Sequence, residues 1–310
     1  MNFKTFSTIK KLTDKLYYME YLDDYKFDEF LKAGASSDYE VHKFIEKHLL
    51  GGGSMDFAGP DMGCSAFSSY LKNGEKVFGR NFDEAECGVL VLKTKPMGGF
   101  ASLTVVNLNY IGITTEKLPM DMNNLNCLLM AAPYVPMDGV NEKGLTVSIL
   151  KIKQKPTMQE RGKIPLTSPT MMRAVLDKCV TVDEAVALYD SFDMHSSANV
   201  DFHYHISDAF GNSAVIEYIG GVMSVVNSRS CTNFLLTESV KVGGGHDRYE
   251  AMENYLNEKQ DILENERDAM KVLTAASANS TRWSAIYNQT NPSLLLSVFK
   301  DYENLFEFKL

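Results

Sequence analysis

The residue best placed to do chemistry is Cys64. Five cysteines stand at positions 64, 87, 127, 179 and 231. None forms a CxxC pair or sits with a histidine at metal-ligand spacing, so as a group they read as buried, reduced thiols. Cys64 departs from that background by its position. It follows a connector rich in Gly, Asp and Pro that runs from Gly51 to Gly63, and it opens the strand-like run Cys64–Leu71. A papain-like nucleophile would open a helix and take a histidine as base, but Ser65–Leu71 does not read as a helix. A cut before Cys64 would supply a base of another kind. The freed α-amine has an ordinary pKa near 7.7–8.0, titrates where a general base is useful, and sits on the same residue as the thiol. Gly63 is a small residue at the bond to be cut. The two products would be residues 1–63 and 64–310, the second 310 − 63 = 247 residues long.

A second group is Gly79-Arg80-Asn81-Phe82-Asp83. An arginine near the sulfur favours thiolate, and a carboxylate can hold the new ammonium. Strand alternation puts Arg80 and Asp83 on opposite faces, so a shared site requires the chain to turn near Phe82. The same spacing also fits a surface strand end with a weak ion pair.

The elements that must position these residues are legible in outline. Residues 1–50 lean to helix at Tyr25–Leu31 and Tyr39–Leu50, with Ser36-Ser37-Asp38 as a cap. Asn73-Gly74 predicts a hairpin between Cys64–Leu71 and Val77–Phe82. Strands are expected at Val89–Lys93, Ala101–Val106 and Leu145–Ile152, the last entered through the turn Asp138–Gly144. Helices follow at Ser168–Asp177 and Val182–Ser191, where Thr181 and Glu184 have capping-box spacing. A second β block covers His203–Asp208, Ala214–Ile219 and Val222–Asn227. Residues 247–277 read as helix broken near Glu264-Asn265, before strands at Trp283–Asn288 and the C-terminal tail. Two sheets with helices outside is the architecture this order suggests.

Composition sets the remaining bounds. The charge sum, 31 − 40 = −9, has no Lys/Arg cluster, which argues against a nucleic-acid partner. The apolar runs fall far short of the roughly 20 residues needed to span a bilayer. The N-terminus lacks the apolar core of a signal peptide, so a cytoplasmic location is expected.

Taken in order, the motifs resemble the choloylglycine hydrolase/penicillin V acylase family, linear-amide hydrolases of the N-terminal nucleophile superfamily that are related to acid ceramidase. The resemblance rests on Gly63-Cys64-Ser-Ala-Phe, Arg80 within Gly-Arg-Asn-Phe-Asp, and Asp138-Gly-Val-Asn-Glu-Lys-Gly-Leu145. It continues through Phe202-His-Tyr-His-Ile-Ser-Asp208 with Val215-Ile-Glu217, then Cys231-Thr-Asn233, Asp247-Arg248-Tyr249 and Thr281-Arg-Trp-Ser284.

The resemblance implies an α+β fold, a four-layer αββα sandwich over residues 64–310, preceded by a helical prosegment, 1–63, removed by autoprocessing. It implies Cys64 as nucleophile and, with Gly63, as cleavage site. Arg80 and Asp83 would set the charge and orientation of thiol and amine. Asn233 would donate to the oxyanion, and Arg248 would anchor the site. Lys151 stands where relatives complete the oxyanion hole with Asn or Tyr. The stretch from Asn233 to Arg248 is shorter than in bile salt hydrolases, which argues against assuming bile-salt chemistry.

The expected activity is hydrolysis of a small N-acyl amide, with no cofactor or metal; homo-oligomerisation is left open. Acyl transfer, or a non-catalytic binding role for an uncut chain, are the alternatives. His203 and His205 are expected to be structural. Met120, Met122, Met130 and Met137 are expected to fill core gaps or line an acyl pocket. The leader, apolar at Phe27, Phe30 and Leu31, is expected to act as a lid that leaves after the cut.

Overall fold

The computed structural model describes residues 4–50, 63–115, 126–237 and 243–310. The connector residues 51–62 and Met120 and Met122 lie outside this set. Alternating apolar patterns build fourteen strands used here: β1 (Leu16–Tyr21), β2 (Gly63–Leu71), β3 (Lys76–Asp83), β4 (Val89–Thr94), β5 (Ser102–Asn107), β6 (Asp138–Asn141), β7 (Thr146–Ile152), β8 (Asp201–Ser207), β9 (Ser213–Ile219), β10 (Val222–Asn227), β11 (Ser230–Cys231), β12 (Thr281–Asn288), β13 (Ser293–Val298) and β14 (Phe306–Lys309). Among the described residues one sheet runs Lys10–Lys11, β1, β4, β5, β6, β7, β8, β9, β10. The other runs β11, β2, β3, β12, β13, β14, with Ile262–Leu263 beside β2.

Both faces of each sheet are apolar, so each is covered twice. Between the sheets lie Ala66, Phe78 and Tyr287 from one and Val105 and Leu150 from the other. Outside the first sheet pack α3 (Ser168–Lys178) and α4 (Val182–Ser191). Outside the second, α5 (His246–Glu258) and α6 (Glu266–Ala275) bury Met252, Leu256, Val272 and Leu273 against Phe67, Val77 and Ile286. This is the αββα sandwich. Among the described residues, no helix is long and apolar enough to cross a membrane.

Several local signals act as expected. The Asn73-Gly74 turn joins β2 to β3 with Gly74 at φ 87°. Thr181 caps α4 by accepting from Glu184 N, and Asn265 caps α6 after the break. Asn141 ends β6 with φ outside the left-handed region. Its side chain holds the turn, accepting from the Lys143 and Leu145 N–H groups and donating to the Leu176 and Cys179 carbonyls. The left-handed residue there is Gly144 (φ 81°), where a Cβ would lie 2.0 Å from the Gln289 carbonyl oxygen.

The leader corrects the sequence reading. It contains helices α1 (Phe27–Ala33) and α2 (Asp38–Ile45), the latter capped by Ser37, but also β1, which pairs parallel with β4 from Leu16↔Val89 to Tyr21↔Thr94. Phe27 and Phe30 pack edge-on against Tyr134. Tyr25 donates to Asp177 of α3 at 2.9 Å, Tyr134 donates to the Tyr25 carbonyl at 2.6 Å, and Ala198 N donates to Asp38 at 2.7 Å. Leu16, Tyr17, Met19, Phe30 and Ile45 are fully buried. Each such side chain contributes about 1.5–3 kcal/mol, so the leader is part of the scaffold. After a cut at Gly63–Cys64 the two pieces are expected to co-elute on size exclusion in native buffer and to part only in denaturant. Separation in native buffer would contradict this.

Candidate active site

The β2–β3 hairpin sets the site by register. Cys64 pairs with Phe82, Ala66 with Arg80, and Gly63 with Asp83. Cross-strand partners share a face and neighbours alternate. Cys64, Phe82 and Arg80 therefore point between the sheets, while Asn81 points to the α5/α6 side and donates to the Leu273 carbonyl. Asp83 follows Asn81's side. No turn is needed near Phe82, contrary to the expectation from alternation. Arg80 serves the thiol from one face, and Asp83 serves the backbone of Cys64 from the other, through Arg248.

On the inner face, Arg80 Nη2 donates to Cys64 Sγ at 3.2 Å and to the Ile149 carbonyl of β7 at 2.6 Å. Its Nη1 lies 3.1 Å from Asp138 Oδ2, both side chains fully buried. Trp283 Nε1 donates to that carboxylate at 3.0 Å, as does the Tyr287 hydroxyl. The guanidinium sits 4.8 Å from the Phe82 ring, which stacks on Trp283 at 3.9 Å. A guanidinium fixed by a carboxylate, a carbonyl and an aromatic face has little freedom to leave the sulfur.

On the other side, Arg248 occupies the third position of α5. Its Nη1 donates to the Cys64 carbonyl at 2.7 Å and to Asp83 Oδ2 at 2.9 Å, and its Nη2 donates to Asn233 Oδ1 at 2.6 Å. Thr281 Oγ1 donates to Asp83 Oδ1 at 2.6 Å. Asn233 Oδ1 accepts from Cys64 N at 2.8 Å, and Asn233 Nδ2 donates to the Lys151 carbonyl at 2.7 Å. Lys151 thus reaches the cluster through its backbone carbonyl. Gly63 is closely packed: a Cβ there would lie 3.2 Å from Asp83 Oδ2.

Gly63, Cys64, Arg80, Asp83, Asn233 and Arg248 come together here, with Lys151 present through its carbonyl. The sequence reading missed Asp138, Trp283, Tyr287 and Thr281 as supports, although all but Tyr287 lay inside quoted motifs. Cys87, Cys179 and Cys231 are free thiols, like Cys64. His246 stacks on Phe234 at 4.3 Å, and Met130 and Met137 are buried core residues.

Burial pushes the Cys64 thiol up to about 11. The Arg80 and Arg248 charges and an Asp83 backbone hydrogen bond pull the other way, while the Asp83 charge adds to the rise. With the Gly63–Cys64 bond intact, the sulfur is a protonated thiol at neutral pH.

Comparison with known proteins gives the family and the fold. The family model described as "Acyl-coenzyme A:6-aminopenicillanic acid acyl-transferase" matches residues 71–308, starting C-terminal to Cys64. Penicillin V acylase of Pectobacterium atrosepticum is 36% identical over 107 residues, 30% of this chain and 28% of that protein. The chain therefore spans under a third of the length of that curated relative. Among solved structures, penicillin V acylase from Agrobacterium tumefaciens aligns with TM-score 0.59 at 18% identity, covering 80% of this chain and 86% of that one. A variant of the conjugated bile acid hydrolase from Clostridium perfringens aligns with TM-score 0.57 at 13% identity, covering 80% and 92%. The Caenorhabditis elegans N-acylethanolamine-hydrolyzing acid amidase orthologue aligns with TM-score 0.50 at 15% identity, covering 73% and 93%. At these identities the structures speak for the fold, and the family match carries the relationship. The chain belongs to the acyl-coenzyme A:6-aminopenicillanic acid acyl-transferase family and shares the fold of these solved structures.

Proposed function

We propose that this chain is a precursor that cuts itself between Gly63 and Cys64 and then hydrolyses the linear amide bond of a small N-acyl substrate. The observation that carries the reading is the double hold on Cys64: its sulfur by Arg80, its backbone nitrogen by Asn233. Any buried backbone N–H needs an acceptor, but here the acceptor is a side chain itself held by Arg248, so it stays in place when the amide becomes an amine. A nucleophile whose own amine becomes the base needs both.

The maturation step balances as an N-to-S acyl shift. Cys64 Sγ attacks the Gly63 carbonyl carbon, the C–N bond breaks, and the thiol proton passes to the departing Cys64 nitrogen. Water then hydrolyses the thioester, giving the Gly63 carboxylate and regenerating the thiol. The new α-amine stays beside Asn233 Oδ1, with Arg248 linking it to Asp83.

In turnover the amine takes the thiol proton while Arg80 stabilises the sulfur anion. The thiolate attacks the substrate carbonyl. Asn233 Nδ2 has one hydrogen on the Lys151 carbonyl and a second for the oxyanion, a donor worth about 10²–10³ in rate. The ammonium then protonates the leaving amine, and water releases the acid from the thioester.

The family description, which names an acyl-transferase, favours one second reading: an amine replaces water in the last step. A panel of N-acyl amino acids, penicillin V, conjugated bile acids and acyl homoserine lactones, with and without added 6-aminopenicillanic acid, decides between them. Free acid from at least one amide supports hydrolysis. Acylated acceptor formed faster than free acid supports transfer. Turnover of none of them by the cut protein would contradict the reading.

A further inference from the structure

The segment carrying Asn233 is held from beneath by a buried histidine–glutamate pair that the mechanism above does not use. His203 on β8 and Glu217 on β9 are both fully buried, with Nδ1 3.0 Å from Oε1. His203 Nε2 lies 2.5 Å from the carbonyl of Thr232, the residue just before Asn233. Glu217 accepts from the Leu236 and Thr237 N–H groups at 2.8 and 2.9 Å, and from the Thr237 hydroxyl, just beyond Asn233.

Both ring nitrogens of His203 therefore lie against oxygen atoms, one of Glu217 and one of Thr232. Cys231 Sγ, 3.3 Å from Nε2, borders the same ring. Burial alone would raise the Glu217 carboxyl. The His203 hydrogen bond and charge, with the Thr237 and Leu236 donors, instead hold it below the usual carboxylate value. One pair of side chains thus grips residues 232 and 236–237, with Asn233 between the two grips.

We propose that His203 and Glu217 are positioning residues that fix the Asn233 amide, acting on turnover through the 232–237 segment without touching the substrate. The inference rests on Asn233 serving the oxyanion. A misplaced donor weakens transition-state stabilisation more than ground-state binding. The expected signature is thus a fall in kcat with KM nearly unchanged.

The test uses the full, self-cut protein and whichever amide the substrate panel identifies. Glu217→Gln keeps the shape and an acceptor oxygen but removes the charge; kcat is expected to fall at least tenfold with KM within about twofold. Placed on Asn233→Ala, the same change is expected to cost little more, because both act through one group. Thr237→Val, at an exposed position, removes only the hydroxyl donor and is expected to lower kcat several-fold without disturbing folding. Should Glu217→Gln not fold, Thr237→Val alone and on Asn233→Ala carries the same comparison. An unchanged kcat in the folded variants, or an equal fold-loss with and without Asn233, overturns the clamp. Absence of wild-type turnover would instead remove the functional reading on which it stands.

Discussion

Cys64→Ala is expected to remain one chain of 34.7 kDa and to show no measurable amide turnover. Without the sulfur there is no attack on the Gly63 carbonyl, so the nitrogen held by Asn233 stays an amide with no basic lone pair. Loss of a covalent nucleophile lowers kcat by roughly 10⁴–10⁶, and here the base is lost with it. Folding is expected to survive, since the change removes only one atom from a fully buried site that otherwise packs as before. Electrophoresis under denaturing conditions reads the outcome directly. A Cys64→Ala preparation that still yields pieces of 63 and 247 residues would show that the thiol is not the cutting agent.

Asp83→Asn is expected to lower kcat by about 10²–10⁴, the scale of lost acid–base positioning. The carboxylate is buried between the Arg248 guanidinium and the Thr281 hydroxyl. Neutralising it leaves Arg248 without its counter-charge at the point where that side chain also holds the Cys64 carbonyl and Asn233. Burial makes this more than a surface ion pair. Breaking such a pair costs up to roughly 3–5 kcal/mol, although Arg248 is partly exposed and Asn keeps the Thr281 contact. A fall in melting temperature of about 5–10 °C should accompany the loss. Normal kcat in a folded Asp83→Asn protein would reduce the pair to a purely structural one.

The sequence made the hairpin and its consequences legible because two local signals agreed. Asn73-Gly74 fixed the turn, and alternation through Cys64–Leu71 fixed which residues face inward. The register that follows places Arg80 and Asp83 without any long-range information. Alternation also said that Arg80 and Asp83 lie on opposite faces, which is correct. The error was to assume that one site must be served from one face. The link between the two faces is Arg248, 165 residues from Asp83 along the chain, and no periodicity reports a contact of that kind.

Leu16-Tyr-Tyr-Met-Glu-Tyr21 was passed over as part of a helical leader, although its aromatic content favours a strand. Its pairing with Val89–Thr94 is parallel and non-local. For the same reason Asp138 read only as a turn residue. Its roles as partner of Arg80 and acceptor for Trp283 depend on bringing the two sheets face to face.

The measurement that tests the central claim most directly is the intact mass and N-terminal sequence of the purified wild-type protein, taken alongside its amide turnover. The account predicts a 247-residue chain beginning Cys64-Ser65-Ala66-Phe67, a leader peptide ending at Gly63, and turnover that appears in step with the cut. Full turnover by a chain still joined at Gly63–Cys64 would contradict it, because that chain has no free amine to act as base.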